Sequence, residues 1–330
     1  MKENIFVTGA NGWIGNKFLE KLLLNQFNVV ALIREKNARH EELEKKNSNL
    51  CFIEGNLEKI EQWQNSLSNI DVLIHLAAKV HTYSKKKSEA LDFHNINSTA
   101  TKNIFEVAEN FGVKRGIFIS SIAVTDLTKE NEQKIEYAYA SSKLNAENFL
   151  VEFNKVSNME VQIIRPVTLY GGLDKGNFKK LYNLSRFKIF PIIGNGKNLK
   201  SVIYYEDFAD ALLNIMKESV SPDNEVLTIG AETISMNEIA QQFKKNNKNL
   251  IVIKIPLKPI NCILGIISLV SKKNSLKLKR QIYTLSQSNT YEYQQNMRYL
   301  PKNITFFKNI DFKNEYMRNE NKNEKSSNFI

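Results

Sequence analysis

Cysteine is nearly absent: Cys51 and Cys262 are the only two in 330 residues. Two thiols without a CxxC spacing build no disulfide framework, and they point to a reducing, cytoplasmic setting. The four histidines are scattered, so no metal site is expected. Six prolines and 13 glycines exclude a collagen-like or low-complexity chain. The apolar run Pro259–Val270 has 12 residues, whereas a helix needs about 20 to cross a bilayer. The first strand is expected at Asn4, with no basic-then-apolar leader before it, so no secretory signal is read.

Apolar side chains are plentiful, at 42% of the chain, enough for one large α/β domain or two smaller ones. The net charge of +11 is unevenly spread. Lys244–Arg280 holds ten Lys/Arg and no Asp/Glu, which leaves +1 for everything else. A solvated lysine-rich surface is the plain reading of that segment, and contact with a membrane surface or another anionic partner is the second. Pro259–Val270 is read as a packed helix, with a basic helix lying on a membrane surface as the alternative.

Short β-branched segments recur at Asn4–Thr8, Asn28–Ile33, Leu50–Glu54, Asp71–His75, Gly116–Ser120 and Val161–Arg165. Helical spacing lies between them, as in Ile14, Phe18 and Leu22. This rhythm predicts an α/β fold built on a doubly wound parallel sheet, Rossmann-like, with a smaller C-terminal lobe. Residues 1–170 form the expected dinucleotide domain, and 171–312 an interleaved substrate lobe. That lobe is expected to carry helices near Asn177–Phe187 and over Glu206–Lys217, and strands at Val226–Ile229 and Leu250–Lys254. Residues 313–330, rich in Asn, Lys, Glu and Ser, read as a disordered tail.

A glycine loop, Thr8-Gly-Ala-Asn-Gly-Trp-Ile-Gly15, follows the first strand directly and opens a helix. Gly9 permits a tight turn, Gly12 lets backbone approach a pyrophosphate, and Gly15 lets helix pack on strand. The phosphates are expected over the helix N-terminus, beside Asn11, Trp13 and Ile14. Its G-x-x-G-x-x-G spacing resembles the extended short-chain dehydrogenase/reductases, the NAD-dependent epimerase/dehydratase family. The resemblance covers roughly residues 3–300.

It implies further cofactor contacts. Relatives that prefer NAD carry an acid at the position of Ile33. Here Ile33 is followed by Arg34, an arrangement that favours NADP(H), with NAD(H) as the alternative because Glu35 is one step beyond. Asn56 stands where the family has an adenine-side aspartate, with Leu57 beside it. Leu76, Ala77, Ala78 and Lys79 resemble the small-residue loop under the cofactor, Asn97 an asparagine beside that loop, and Pro166 a later cofactor contact.

Tyr139 and Lys143 stand four residues apart, on one helix face. A tyrosine titrating near pH 10 is a poor base at neutrality unless a nearby cation favours its phenolate. Tyr137 is excluded because its i+4 residue is Ser141. By resemblance Ser121 is the third catalytic residue, orienting the substrate oxygen as charge develops. Lys143 in turn resembles the lysine that holds the cofactor ribose. Sugar 4,6-dehydratases of the family place an Asp-Glu pair right after this hydroxyl. Ile122 and Ala123 occupy those positions and cannot transfer protons.

Substrate contacts expected from the resemblance are Lys79, Ser121, Asn177 and Lys200, the last in place of a diphosphate-binding arginine. The implied substrate is a nucleotide sugar, most simply UDP-linked. The expected reaction is 4-keto reduction in surface-polysaccharide synthesis, with a UDP-hexose 4-epimerase as the alternative. A homodimer is implied by resemblance alone, and DNA is not expected as a partner. A non-catalytic dinucleotide- or RNA-binding module is the alternative from another class, and the basic segment lacks the interleaved aromatics that bases stack on.

Overall fold

The computed structural model describes residues 2–80, 87–132, 134–172, 177–218, 226–256, 282 and 285–316, with only the backbone of Lys87 and Asn177. The chain divides into two units. The first comprises Met1–Val167, Glu206–Ile229 and Tyr293–Lys302, and the second Thr168–Tyr205, Gly230–Glu292 and Asn303–Ile330. The boundary expected after residue 170 thus falls at Val167, and two later segments return to the first unit.

That unit holds a seven-stranded parallel sheet. Its strands are β1 (Asn4–Thr8), β2 (Asn28–Ile33), β3 (Leu50–Glu54), β4 (Val72–His75), β5 (Arg115–Ile119), β6 (Glu160–Pro166) and, after three strands of the second unit, β10 (Val226–Ile229). Their order is β10-β6-β5-β4-β1-β2-β3. Numbering runs outward in both directions from the β1–β4 neighbours, which makes their C-terminal ends the switch point where ligands bind in such sheets. Register sets Thr8 beside both His75 and Leu32, and His75 beside Phe118.

Helices α1 (Trp13–Leu24), α2 (Ala38–Lys46), α3 (Lys87–His94), α4 (Ala100–Asn110) and α5 (Ala138–Val156) connect these strands. Phe6, Leu73, Phe105, Phe118 and Leu150 join Trp63 in one core, where near-continuous apolar strands meet the apolar faces of α4 and α5. β10 was expected in the smaller lobe and instead completes the sheet, paired in parallel with β6.

The second unit holds β7 (Thr168–Tyr170), β8 (Ile189–Ile193), β9 (Leu199–Tyr204), β11 (Glu232–Ser235) and β12 (Ile251–Ile255), with α6 (Asn177–Ser185) and α8 (Met236–Asn246). Helix α7 (Tyr205–Lys217), expected in the smaller lobe, belongs from Glu206 onward to the first unit. Ser235 and Glu238 close a capping box at the start of α8, satisfying its first N–H groups. β8 and β12 form a separate two-stranded parallel sheet.

The core of this unit is aromatic. Tyr170, Phe178, Phe243, Phe307, Phe312 and Tyr316 are all buried in it. The tail expected from Lys313 is therefore corrected at its start: residues 312–316 are helical, and Phe312 and Tyr316 are 0% and 1% exposed. Residues 317–330, and the run Pro259–Val270, lie outside the described residues. No described helix is long and apolar enough to cross a membrane. Phe312→Ala should destabilise the chain by about 3–5 kcal/mol, the cost of emptying a buried aromatic site. Chemical denaturation checks it, and an unchanged midpoint would mean the segment is solvated.

Candidate active site

The glycine loop is held where the sequence places it. Gly9 has φ +76°, and a Cβ there would lie 2.6 Å from the Ala77 nitrogen. A Cβ on Gly15 would lie 2.0 Å from the Gly9 carbonyl oxygen. Neither position admits a side chain, because loop, helix and the loop after β4 meet at backbone distance. Gly12 precedes α1 and donates its N–H to the Gly9 carbonyl at 2.9 Å. Gly12 gives no side-chain cap to α1, whose N-terminal end carries the positive side of the helix dipole.

These residues open onto a cleft of about 720 Å³. Its lining includes Gly9, Asn11 and Gly12 from the loop, Arg34 after β2, Asn56 and Leu57 after β3, and Leu76, Ala77 and Ala78 after β4. Trp13, Ile14 and Gly15 form the first turn of α1. Sequence reasoning missed Ile96 and Glu58, which also line the cleft. Asn11 Oδ1 accepts a hydrogen bond from His40 Nε2 at 2.8 Å, since His40 Nδ1 accepts the Asn37 N–H. Asn56 uses its side-chain oxygen to accept the Glu58 N–H at 3.0 Å. Arg34 is exposed. A glycine loop at a helix N-terminus, lined with residues that follow β1, β2, β3 and β4, fits a dinucleotide.

A chain of buried polar groups ties this cleft to α5. Asn97, fully buried, sits in a π-helical stretch, Asn95–Thr99. It accepts the Lys79 N–H at 2.7 Å and donates to the Lys79 carbonyl at 3.0 Å. Its amide also donates to Ser142 Oγ at 3.0 Å, and Ser142 donates to the Tyr139 carbonyl at 2.8 Å. Behind it, Thr101 donates to the Asn97 carbonyl at 2.8 Å and lies 3.0 Å from His75 Nε2. Thr8 Oγ1 lies 2.7 Å from His75 Nδ1 and accepts the Ala77 N–H. Thr101 has given its proton away, so the pattern assigns the imidazole proton to Nε2. Burial, and then the nearby Lys143, lowers the His75 pKa to about 3, so it stays neutral.

Tyr139, partly buried on α5, shares a hydrogen bond with Ser121. Burial raises its pKa and that bond opposes the rise. Ser121 also accepts the Ala123 N–H at 3.2 Å, which fixes it at the start of a short helical turn. Lys143 is 1% exposed, donates to the Ile119 carbonyl at 2.8 Å, and stands 4.4 Å from the centre of the Phe118 ring. Desolvation lowers its pKa to about 7, and Glu147 pulls the other way. Glu147 is held by both Arg165 Nε, at 2.9 Å, and Arg165 Nη2. Sequence reasoning missed this carboxylate, although Tyr139, Lys143 and Glu147 continue one i+4 series.

The remaining expected contacts are differently employed. The Lys79 ammonium is paired with Asp92 at 2.5 Å. Lys200, in the second unit, donates to the Gln287 carbonyl at 2.7 Å and to Asn289 Oδ1 at 2.5 Å. Pro166 is buried at the end of β6, and Asn177 is the first residue of α6. No group of three or more metal-ligating side chains occurs among the described residues.

Parallel sheet, glycine loop and Ser-Tyr-Lys set together define a Rossmann-type nicotinamide dinucleotide enzyme. The family model described as "NAD dependent epimerase/dehydratase family" matches residues 5–230, and the chain belongs to that family. It is 29% identical over 253 residues to a UDP-glucose 4-epimerase of Vibrio cholerae, covering 74% of this chain and 75% of that one. An N-acetyl-α-D-glucosaminyl-diphospho-ditrans,octacis-undecaprenol 4-epimerase of Escherichia coli O157:H7 is 26% identical over 265 residues, covering 78% and 76%. Among solved structures, a UDP-glucuronic acid 4-epimerase from Bacillus cereus, in complex with UDP-glucuronic acid and NAD, superposes with TM-score 0.71 over 96% of this chain and 99% of that one. At 20% identity this likeness shows the fold alone. The expected NADP(H) preference finds no support in these comparisons, where the family is named for NAD.

Lys143 supplies a pH test. Its pKa falls from 10.5 to about 7 on folding, so between those values the unfolded chain holds a proton that the folded one has released. Stability therefore rises with pH across that window, and the penalty is fully present below pH 7. Lys143→Met should raise the melting temperature of the ligand-free protein by several degrees at pH 6 and hardly at pH 10. Calorimetry at both pH values checks this.

Proposed function

We propose that the chain is a 4-epimerase acting on a hexose carried on a diphosphate, with NAD(H) retained as cofactor. The observation that carries this is the Ser121–Tyr139 hydrogen bond with Lys143 one turn along α5, braced against the dinucleotide cleft through Asn97 and Ser142. The two relatives described above, both 4-epimerases by name, support the reaction type. Their carriers are uridine and undecaprenol, so diphosphate is the chemistry they share.

Tyr139 removes the proton from the sugar 4-hydroxyl as base and returns it as acid. Ser121 donates to the same sugar oxygen when it becomes a carbonyl, and inversion requires the 4-keto sugar to turn its opposite face to the hydride before it returns. Lys143, with one N–H on the Ile119 carbonyl, keeps further donors for ribose hydroxyls and lends positive charge to the Tyr139 phenolate. A dinucleotide held by the glycine loop and by Lys143 would supply the hydride acceptor and donor for carbon 4. Ile122 and Ala123 carry no acid or base, so no water is eliminated.

Arg34 favours a second reading, a 4-keto reductase drawing on NADP(H), because an exposed guanidinium on the cleft wall can grip a 2′-phosphate. One assay separates the two. Epimerisation of a UDP-hexose with no net change in nicotinamide absorbance supports the epimerase, and stoichiometric NADPH oxidation by a UDP-4-keto sugar supports the reductase. In either case Tyr139→Phe should lower turnover by roughly 10²–10⁴-fold. Arg34→Ala should weaken NADP binding at least tenfold while changing NAD affinity less than about threefold, as read by titration calorimetry. Equal losses for both would remove Arg34 from any role at the 2′ position.

A further inference from the structure

The two-stranded sheet of the second unit has a face that its core does not cover. Register pairs Ile189 with Ile251, Pro191 with Ile253, and Ile193 with Ile255. Alternate side chains of a strand share a face, so these six stand together. Phe190, Ile192 and Val252 point the other way, into the aromatic core. At one end Ile193 and Ile255 are packed by Ile282 and Leu285. At the other end Ile189, Ile251 and Ile253 are 51%, 58% and 42% exposed, and nearby Phe187 is 69% exposed. Exposed apolar clusters of this kind mark contact surfaces.

The charge around the patch has one sign. No Asp or Glu occurs between Asp174 and Glu206, a stretch with seven Lys/Arg, nor between Glu238 and Glu292, a stretch with ten. β8 lies in the first stretch and β12 in the second, so pairing them joins two acid-free regions. Arg186 and Lys248 are exposed in the turns that enter the two strands, beside Phe187 and Ile251. The chain also leaves this sheet at Pro256 and rejoins it at Ile282, where Ile282 packs near Ile255.

We propose that this apolar face, with its cationic rim, docks on an anionic lipid bilayer. A bilayer surface offers both things the patch asks for, an apolar layer for isoleucines and negative headgroups for lysines. A second copy of the chain matches the isoleucines but sets like charges against each other. A nucleic acid matches the charge and leaves the isoleucines in water. Docking also deepens the reading of the substrate's carrier: a sugar diphosphate on a membrane lipid is met at this surface. That step rests on the epimerase proposal, and the docking itself does not.

Flotation of the full chain with phosphatidylcholine vesicles, with and without phosphatidylglycerol, tests it. Binding should be at least tenfold stronger with phosphatidylglycerol. It should fall at least tenfold in Ile251→Glu/Ile253→Glu, and also in Arg186→Glu/Lys248→Glu, with melting temperatures unchanged. Absence of binding overturns the proposal, as does binding that both variants retain. RNA binding without vesicle binding overturns it, and so does a dimer that Ile251→Glu/Ile253→Glu dissolves without any vesicle binding. No substrate enters this assay. Vesicle binding without turnover would therefore sink the epimerase reading alone, and turnover without vesicle binding the docking alone.

Discussion

One buried amide organises the site. Asn97 satisfies both backbone groups of Lys79 and reaches Ser142 on α5, so the loop under the cofactor and the helix carrying Tyr139 share one rigid partner. A π-helical stretch lets this happen, because the wider turn carries Asn97 to where both lie within reach. Asn97 itself is fully buried, where leaving a polar group unsatisfied costs about 1–3 kcal/mol. Loop, helix and the Thr8–His75–Thr101 row therefore hold their positions together or not at all.

Charge is managed around this frame by pairing and by neutrality. Glu147 is neutralised by Arg165, which allows a carboxylate to sit below Lys143 without pulling its ammonium fully back to its ordinary range. His75 contributes no charge, so the lysine meets a neutral ring rather than a second cation. Tyr139 and Lys143 are thus both held away from their ionised forms by burial. Electrostatic preorganisation of this kind is a cost to the empty protein that ligand binding recovers.

Much of this was legible in the sequence, for local reasons. β1, β2 and β3 fall on the expected residues because short β-branched runs bounded by polar turns leave little choice. The glycine spacing and the Tyr-Lys interval are likewise local. What escaped is long-range. β10 looked like a strand of the small lobe, and nothing within Val226–Ile229 says that it pairs with β6. The Asn-rich composition after Lys313 hid Tyr316, whose burial depends on an aromatic core gathered from distant segments. Lys200 fitted a diphosphate role by position, yet its partners lie near residue 288 and no spacing rule reaches them.

The return of the chain to its first unit has a consequence for synthesis. The polypeptide passes between the two units five times. The seventh strand of the sheet is supplied only at Val226–Ile229, and Asn296 then donates its amide to the Thr228 carbonyl while Asn214 donates to that of Tyr299. A ribosome that has released the glycine loop and the Tyr139 helix has therefore made the residues of the chemistry without finishing the sheet that holds them. The nascent enzyme must wait for about the last tenth of its length before either unit can close, and one edge of β6 stays unpaired until β10 is made.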